Sequence, residues 1–300
     1  MTVVSVVIPT RNRRLFLSEA IATVTEQTHH DWELIIVDDG SDDDTPAFLD
    51  TLHDSRMRVI RRPAAGGAAV ARNAGLAEAR GELIMFLDDD DLLREDALAR
   101  LSSALNSHPE AVAAVGACRL FRENDHSTKV YHPAGTHTGS IWRALLFGWW
   151  ANSGQNLYRT ALIRNIGGFD EALLHAEDRK LWLDVAWRGP VCLIPFVMME
   201  YRQHAGQVSK RPNIEPVRQK IWREFIAGLP PAQQGEARAI RRAAELVRHA
   251  EHGRAARAFG SALRAQVHAC LLAPSLLTSP LTGRPLWWGL RKCLQRVSVP

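Results

Sequence analysis

Short apolar runs alternate with amphipathic stretches over the first 110 residues of the chain. The apolar runs lie at residues 3–8, 34–37, 58–60 and 83–87. Runs this short and this apolar are typical of strands buried on both faces of a parallel sheet. Apolar residues recur at helical spacing in the segments 15–27, 45–52, 68–79 and 92–105. Strands that alternate with helices in this way predict a parallel, doubly wound α/β sheet with right-handed crossovers.

The pattern is less regular after residue 110 and changes again after residue 211. Strands are predicted at 112–121, 156–159 and 191–201, with a short helix at 139–148 and a longer one from Asp178. Ala- and Arg-rich helical patterns follow at 219–227 and 233–265. We therefore predict one domain over residues 1–211, with halves at 1–110 and 111–211, and a basic helical extension over 212–300.

The net charge of +4 hides a difference between the two ends of the chain. The first 200 residues hold 20 Lys and Arg against 28 Asp and Glu, whereas the last 100 hold 17 against 5. A basic segment can meet an anionic membrane surface, a nucleic acid or a polyanionic substrate. The segment 270–294 combines Trp and Leu with basic residues, which suits a membrane interface and equally a helix packed on the domain. No nucleic-acid-binding module is recognisable, so we predict no nucleic-acid partner.

Cysteine spacing and hydropathy indicate the cellular compartment in which the protein is expected. The four cysteines lie far apart and form no C-x-x-C pair, which fits a reducing environment without a zinc site or disulfide framework. The N-terminus shows no signal-peptide pattern, and no apolar stretch reaches the length of a membrane span. These features predict a cytoplasmic protein, with the inner membrane face as a place for peripheral contact.

The first candidate for chemistry is the run Asp88–Asp91, which directly follows the apolar run 83–87. Ligands of open α/β sheets bind at the carboxyl ends of the strands, where four crowded carboxylates favour a cation. Mg2+ and Mn2+ take such oxygen ligands and often bridge them to phosphates. The alternative is a solvated acidic loop with helix-capping aspartates. Asp38 and Asp39 end the second predicted strand and should lie at the same edge.

The sequence lacks the usual nucleotide motifs but leaves a nucleotide ligand open. Neither G-x-G-x-x-G nor G-x-x-x-x-G-K-[ST] follows the first strand, which disfavours an ordinary dinucleotide site and a P-loop. A strand-end Asp accepts hydrogen bonds from a base or a ribose. Arg72 precedes the acidic strand and can offset phosphate charge, although a surface helix Arg is the alternative.

Three further features are candidates for the acceptor side or the metal. Trp149 and Trp150 are adjacent, and flat sugar faces stack on indole, although both can equally be packing residues. Glu177 and Asp178 open a helix, where the helix dipole alone explains acids but also keeps a general base ionised. His204 follows the last predicted strand and can reach the metal, although a lone His is usually structural.

Seven motifs, in this order and spacing, resemble the family 2 glycosyltransferases of the GT-A fold. They are V-S-V-V-I-P-T-R-N, W-E-L-I-I-V-D-D-G-S, A-R-N-A-G, M-F-L-D-D-D-D, I-G-G-F-D-E, A-E-D-R-K-L-W-L and Y-R-Q-H, and they span about residues 3–209. The resemblance implies a GT-A-like, Rossmann-related sandwich with a mostly parallel central sheet. The C-terminal third has no counterpart in it.

The resemblance also implies roles for individual residues. The nucleotide sugar would contact the base-side residues Pro9, Thr10, Arg11, Asp38 and Asp39, then Arg72 near the diphosphate, and Asp88 and Asp89 in the D-x-D signature. The metal ligands would be Asp90 with Asp88, and His204 as a late contact. Asp178 would be the general base. All four positions of the D-x-D run are Asp here, which leaves the assignment within it open.

The implied activity is metal-dependent, inverting transfer of a sugar from a nucleotide-diphosphate sugar, of which UDP-sugars are the commonest, to a hydroxyl of a glycan or lipid-linked acceptor. The cofactor would be Mn2+ or Mg2+. Two alternatives remain at this point. One is a catalytically inactive nucleotide-sugar-binding scaffold on the same fold. The other is a sugar-phosphate nucleotidyltransferase, although the loop after the first strand lacks the Gly-rich, Lys-containing sequence typical of those enzymes.

Overall fold

The computed structural model describes residues 2–122, 125–131, 137–148, 150–204, 207 and 214–252. The chain divides into two compact units. The first unit takes in residues 1–139 and 151–218, and the second takes in 140–150 and 219–300. The predicted domain boundary at residue 211 stays a prediction, and the apolar segment 270–294 lies outside the described residues.

The first half of the chain alternates strands and helices, as the hydrophobic pattern predicts. The elements are β1 (Val4–Thr10), α1 (Arg14–Thr25), β2 (Trp32–Asp38), α2 (Thr45–Leu49), β3 (Met57–Arg61), α3 (Ala68–Glu78) and β4 (Leu83–Phe86). Each predicted strand and helix is present within a few residues of its expected bounds. The repeated βα units explain why the sequence pattern is so regular here.

The second half of the first unit mixes strand directions. It contains β5 (Leu92–Leu93), α4 (Ala97–Ser107), β6 (Ala113–Arg122), β7 (Asp125–Tyr131), β8 (His137–Gly139), β9 (Asn156–Arg159), α6 (Thr160–Asn165), α7 (Glu177–Arg188) and β10 (Val191–Arg202). The predicted helix start at residue 92 is wrong. Leu92 and Leu93 pair with β10 instead, and the Arg94 N–H donates to the Met198 carbonyl at 2.8 Å. The helix begins only at Ala97.

The described strands form one sheet in the order β3-β2-β1-β4-β9-β6-β10-β5, with β7 beside β6 and β8 beside β10. β3, β2, β1 and β4 are mutually parallel, as are β6 and β10. β9 is antiparallel to both β4 and β6 and joins the two parallel groups. Most of the paired residues belong to parallel ladders, so the predicted α/β sandwich with a mostly parallel central sheet is confirmed.

Helices cover both faces of the sheet. On one face, buried side chains of β1 pack in a single apolar cluster with those of α1 and α4, including Val6, Leu17 and Leu98. On the other face, α3 approaches β1 closely, and a Cβ added at Gly75 would lie 2.3 Å from Val7 Cγ1. Burial on both sides explains the continuous apolar runs of the central strands.

Because β1, β2 and β4 are parallel, their carboxyl ends meet at one edge of the sheet. Thr10 ends β1, Asp38 ends β2, and the run Asp88–Asp91 follows β4. The register pairs Thr10 directly with Asp38. The topology therefore gathers at one edge polar groups that lie far apart in the sequence.

The second unit is helical in its described part. It contains α5 (Trp142–Phe147), most of α8 (Ile214–Gly228) and α9 (Pro231–His252). Arg143 pairs with Glu236 at 2.6 Å, and the Arg241 guanidinium lies 3.4 Å from the centre of the Trp222 ring. Among the described helices, none combines the length and the apolar character that crossing a membrane requires.

The close approach of α3 to β1 gives a prediction about stability. We expect Gly75→Ala to lower the free energy of unfolding by up to about 2 kcal/mol, because the clash with Val7 costs about 1–3 kcal/mol and the gain in helix propensity offsets only about 1 kcal/mol of it. Urea denaturation measures the change. Gly235→Ala in α9 is the matched control, since a Cβ there meets no atom within 4 Å. Equal stability of the two variants would contradict the close packing.

Candidate functional site

A cavity of about 560 Å3 opens in the first unit at the carboxyl edge of the sheet. It brings together ten of the residues that the sequence predicts for the site. They are Pro9, Thr10, Arg11, Asp39, Arg72, Asp88, Asp89, Asp90, Glu177 and Asp178. The cavity is large enough for a ligand of nucleotide size.

The carboxylates of Asp89 and Asp90 both pair with the Arg13 guanidinium and differ in their other hydrogen-bond partners. Arg13 Nη1 donates to Asp89 Oδ1 at 3.0 Å and to Asp90 Oδ2 at 2.7 Å. The Thr10 hydroxyl donates to Asp89 Oδ2 at 2.8 Å. His204 Nε2 lies 2.9 Å from Asp90 Oδ2, so His204 contacts a predicted metal ligand without lining the cavity. Its role as a ligand stays a prediction.

Asp91 is fully buried and belongs to the same cluster. Its Oδ1 accepts a hydrogen bond from the Arg202 backbone N–H at 3.0 Å, and its Oδ2 has no hydrogen-bond partner among the described residues. One carboxylate oxygen each from Asp88, Asp90 and Asp91 lies within 4.8 Å of the others. A buried carboxylate oxygen without a partner and three converging oxygens are the donor set that a hard divalent cation takes. The residues therefore fit the predicted metal, with Asp91 as a third candidate ligand.

The electrostatics of the run also favour a cation. Burial raises the pKa of Asp88 against the lowering effect of Arg72. Burial, together with the charges of Asp88 and Asp90, raises the pKa of Asp91 well above its ordinary value. Burial raises the pKa of Asp89 to about 7. The protein alone thus disfavours full ionisation of these acids, whereas a bound cation favours it.

Arg72 is buried and joins two acids of the site. Its side chain is 5% exposed, and it donates to Asp88 Oδ1 at 2.6 Å and to Glu177 Oε1 at 2.7 Å. Burial lowers the pKa of Arg72, but the two carboxylates outweigh it and raise the pKa above the ordinary value. The guanidinium also lies 5.2 Å from the centre of the Phe169 ring. The alternative of a surface helix Arg is excluded.

The start of α7 places Asp178 in the cavity. Ala176 precedes the helix with φ at +63°, a left-handed conformation that is uncommon outside Gly and that often occurs at functional sites. Asp178 Oδ1 accepts from the Arg179 N–H at 2.8 Å. The helix N-terminus favours the charged carboxylate, which is the state that accepts a proton.

Asp38 and Asp39 hold the loops around the cavity. Asp38 Oδ1 accepts from the Ser41 N–H at 2.9 Å, and Asp38 does not line the cavity. Asp39 does line it, and its carboxylate pairs with Arg62. Asp39 Oδ2 also accepts from the N–H groups of Gly66 at 3.0 Å and Gly67 at 2.7 Å. A contact of either acid with a nucleotide base stays a prediction.

The sequence reasoning missed four basic residues that line the cavity, namely Arg13, His175, Arg179 and Arg218. Arg13 lies in the loop after the first strand, directly beside the predicted site residues, and could have been found by that position. Arg218 lies in α8, where no sequence motif points to a site. Of the two tryptophans, Trp149 lies outside the described residues and Trp150 belongs to the second unit, so acceptor binding by them stays a prediction.

The geometry combines three chemical capacities in one cavity. The acids after β4 can hold a divalent cation, and Arg13 and Arg72 can balance anionic charge. Asp178 can take a proton from a group bound beside it. This combination suits displacement of an anionic leaving group by a hydroxyl.

The chain is similar in sequence to named glycosyltransferases. A 130-residue match with "Glycosyltransferase GlyG" of Streptococcus pneumoniae is 33% identical and covers 43% of each chain. A 220-residue match with "UDP-Glc:alpha-D-GlcNAc-diphosphoundecaprenol beta-1,3-glucosyltransferase WfgD" of Escherichia coli is 28% identical, covering 72% of this chain and 83% of the relative. This chain thus spans less than half of GlyG and most of WfgD.

The fold is similar to that of S. aureus TarS 1-349, whose crystal structure was determined in complex with UDP-GlcNAc. The two chains superpose with a TM-score of 0.68 at 20% identity, over 98% of this chain and 89% of TarS. This likeness shows the fold, which is the GT-A fold implied by the motifs. Residues 5–168 match the model of the family "Glycosyl transferase family 2". Because this match spans more than half of the chain, the protein belongs to glycosyl transferase family 2.

Proposed function

We propose that this protein transfers a sugar from a nucleotide-diphosphate sugar to a hydroxyl group of a glycan or lipid-linked acceptor. The single observation that carries the proposal is the cavity at the carboxyl edge of the sheet. Its lining includes Asp178 together with three acids of the run, Asp88, Asp89 and Asp90. A base and a cation site in one cavity are what this reaction requires.

The donor side of the proposal rests on the acids and the arginines. Asp88 and Asp90 would hold a divalent ion, Mn2+ or Mg2+, with Asp91 as a third ligand. Such an ion supplies Lewis-acid neutralisation of the charge on a nucleoside-diphosphate leaving group. Arg72 and Arg13 already contact these acids and lie where they balance the remaining phosphate charge.

The acceptor side of the proposal rests on Asp178. The acceptor hydroxyl loses its proton to the Asp178 carboxylate while its oxygen attacks the anomeric carbon of the sugar. The bond between that carbon and the diphosphate oxygen breaks, and its electron pair leaves with the nucleoside diphosphate. Attack from the face opposite the leaving group inverts the anomeric configuration. Glu177 and Asp178 lie in the first turn of α7, where the helix dipole interacts favourably with negative charge.

The substrate class is proposed from the relatives. WfgD is named for UDP-glucose and a diphosphoundecaprenol-linked acceptor, and TarS was crystallised with UDP-GlcNAc. We infer a UDP-sugar donor and a lipid-linked glycan acceptor, and thus a role in cell-envelope polysaccharide synthesis. The basic tail beyond residue 252 would then meet the anionic inner face of the membrane, an expectation that rests on its sequence alone.

The metal site gives a prediction about nucleotide binding. We expect UDP to bind the protein in the presence of Mn2+ and to lose at least tenfold in affinity when EDTA removes the metal. Asp90→Ala should cause a comparable loss, because it removes a ligand oxygen. Isothermal titration calorimetry measures both changes.

Asp50→Ala is the control for this experiment, since Asp50 is exposed and pairs with Arg61 on the surface. Its affinity for UDP should equal that of the wild type. UDP binding that persists in EDTA would contradict the proposed metal dependence. If UDP, GDP and dTDP all fail to bind, the proposed nucleotide-sugar donor is contradicted, while the fold assignment stands.

The base gives a prediction about catalysis. We expect Asp178→Asn to lower kcat by about 10²–10⁴-fold, since the amide cannot accept the acceptor's proton, while nucleotide affinity stays nearly unchanged. A transfer assay with UDP-sugars and calorimetry with UDP separate the two effects. Asp184→Asn is the matched control, because Asp184 lies on the same helix and pairs with Lys180 at 2.9 Å. Activity that survives Asp178→Asn would rule out this residue as the base.

A further inference from the structure

A second, much smaller space adjoins the cavity behind Asp178. This crevice measures about 10 Å3. Its lining residues are Phe86, Ser153, Tyr158, Phe169, Asp178, Leu181 and Trp182. Asp178 and Ser153 line both the crevice and the larger cavity. Asp178 thus borders both the cavity and the smaller crevice.

Trp182 lines this crevice and carries a hydrogen-bond donor, its indole N–H, that has no partner among the described residues. Its side chain is 1% exposed. The ring packs on Tyr158 with 5.4 Å between the ring centres, so it is held in place. A buried N–H without a partner costs about 1–3 kcal/mol, and buried Trp usually finds one. The donor therefore indicates a small polar ligand.

The crevice has the size and the lining of a site for one water molecule. A water needs about 10–15 Å3 of such space and two to four polar partners. The indole N–H is a donor, the Asp178 carboxylate is an acceptor, and the hydroxyls of Ser153 and Tyr158 can serve as either. The other lining residues, Phe86, Phe169 and Leu181, are aromatic or aliphatic.

Helix geometry supports a link between Trp182 and Asp178. The two residues are four positions apart on α7 and so lie on one face of the helix, a turn apart. Asp178 Oδ1 already accepts from the Arg179 N–H. A donor from the crevice would fix the carboxylate from a second direction.

We propose that one buried water in this crevice accepts a hydrogen bond from Trp182 Nε1 and donates one to the Asp178 carboxylate. Trp182 is then a positioning residue that orients the base through the water. The catalytic part of this inference rests on the proposed function. The water site itself does not depend on it.

The test compares two replacements that remove the N–H. Trp182→Phe is the simple variant, and site-specific replacement of Trp182 by 3-benzothienylalanine keeps the ring shape but puts sulfur in place of N–H. We expect both to lower kcat about five- to tenfold, which corresponds to one lost hydrogen bond, with the KM for the donor and the affinity for UDP unchanged. The melting temperature of the benzothienyl variant should stay near that of the wild type. Trp187→Phe on the same helix is the control.

A crystal structure at high resolution shows whether the crevice holds a water molecule, independently of any activity measurement. We expect a single ordered water in the crevice of the wild type and its loss in the benzothienyl variant. An empty crevice in the wild type, or an unchanged kcat in an otherwise active benzothienyl variant, would overturn the proposal. If the wild type transfers no sugar, the proposed function is contradicted instead. The electron density would still show whether the crevice holds a water molecule.

Discussion

The candidate site depends on one buried charge, that of Arg72. Removing a guanidinium from water is costly unless carboxylates and hydrogen bonds compensate. Asp88 and Glu177 supply both, from the run after β4 and from the start of α7. The same two contacts fix the distance between the acidic run and the helix that carries Asp178. Neutralisation of the buried Arg72 guanidinium thus sets the geometry between the acidic run and Asp178.

The acidic run shows how the fold tolerates crowded carboxylates. Asp89 and Asp90 share Arg13, while Asp91 accepts a backbone N–H of Arg202. Burial, together with the charges of Asp88 and Asp90, raises the pKa of Asp91 well above its ordinary value. The burial of Asp89, Asp90 and Asp91 argues against the alternative of a solvated acidic loop.

Local sequence patterns were sufficient to predict the secondary-structure elements whose formation depends on nearby residues alone. The buried strands and the acids after β4 follow from apolar runs and their ends. The features that the sequence could not predict depend on contacts between segments that are distant in the chain. Leu92 and Leu93 fit a helix until β10 pairs with them. The burial of Arg72 requires Glu177, 105 positions away, and the crevice at Trp182 exists only once α7 packs against β9.

The hydrogen bond between Arg202 and Asp91 has a consequence for the order in which the protein matures during synthesis. The two residues are 111 positions apart, so the ribosome completes the acidic strand end long before its partner emerges. Until β10 is added, Asp91 has no backbone donor and the run stays hydrated. Contacts of such long range form late in folding. In a nascent chain, the buried environment of Asp91 is therefore completed only after β10 has been synthesised.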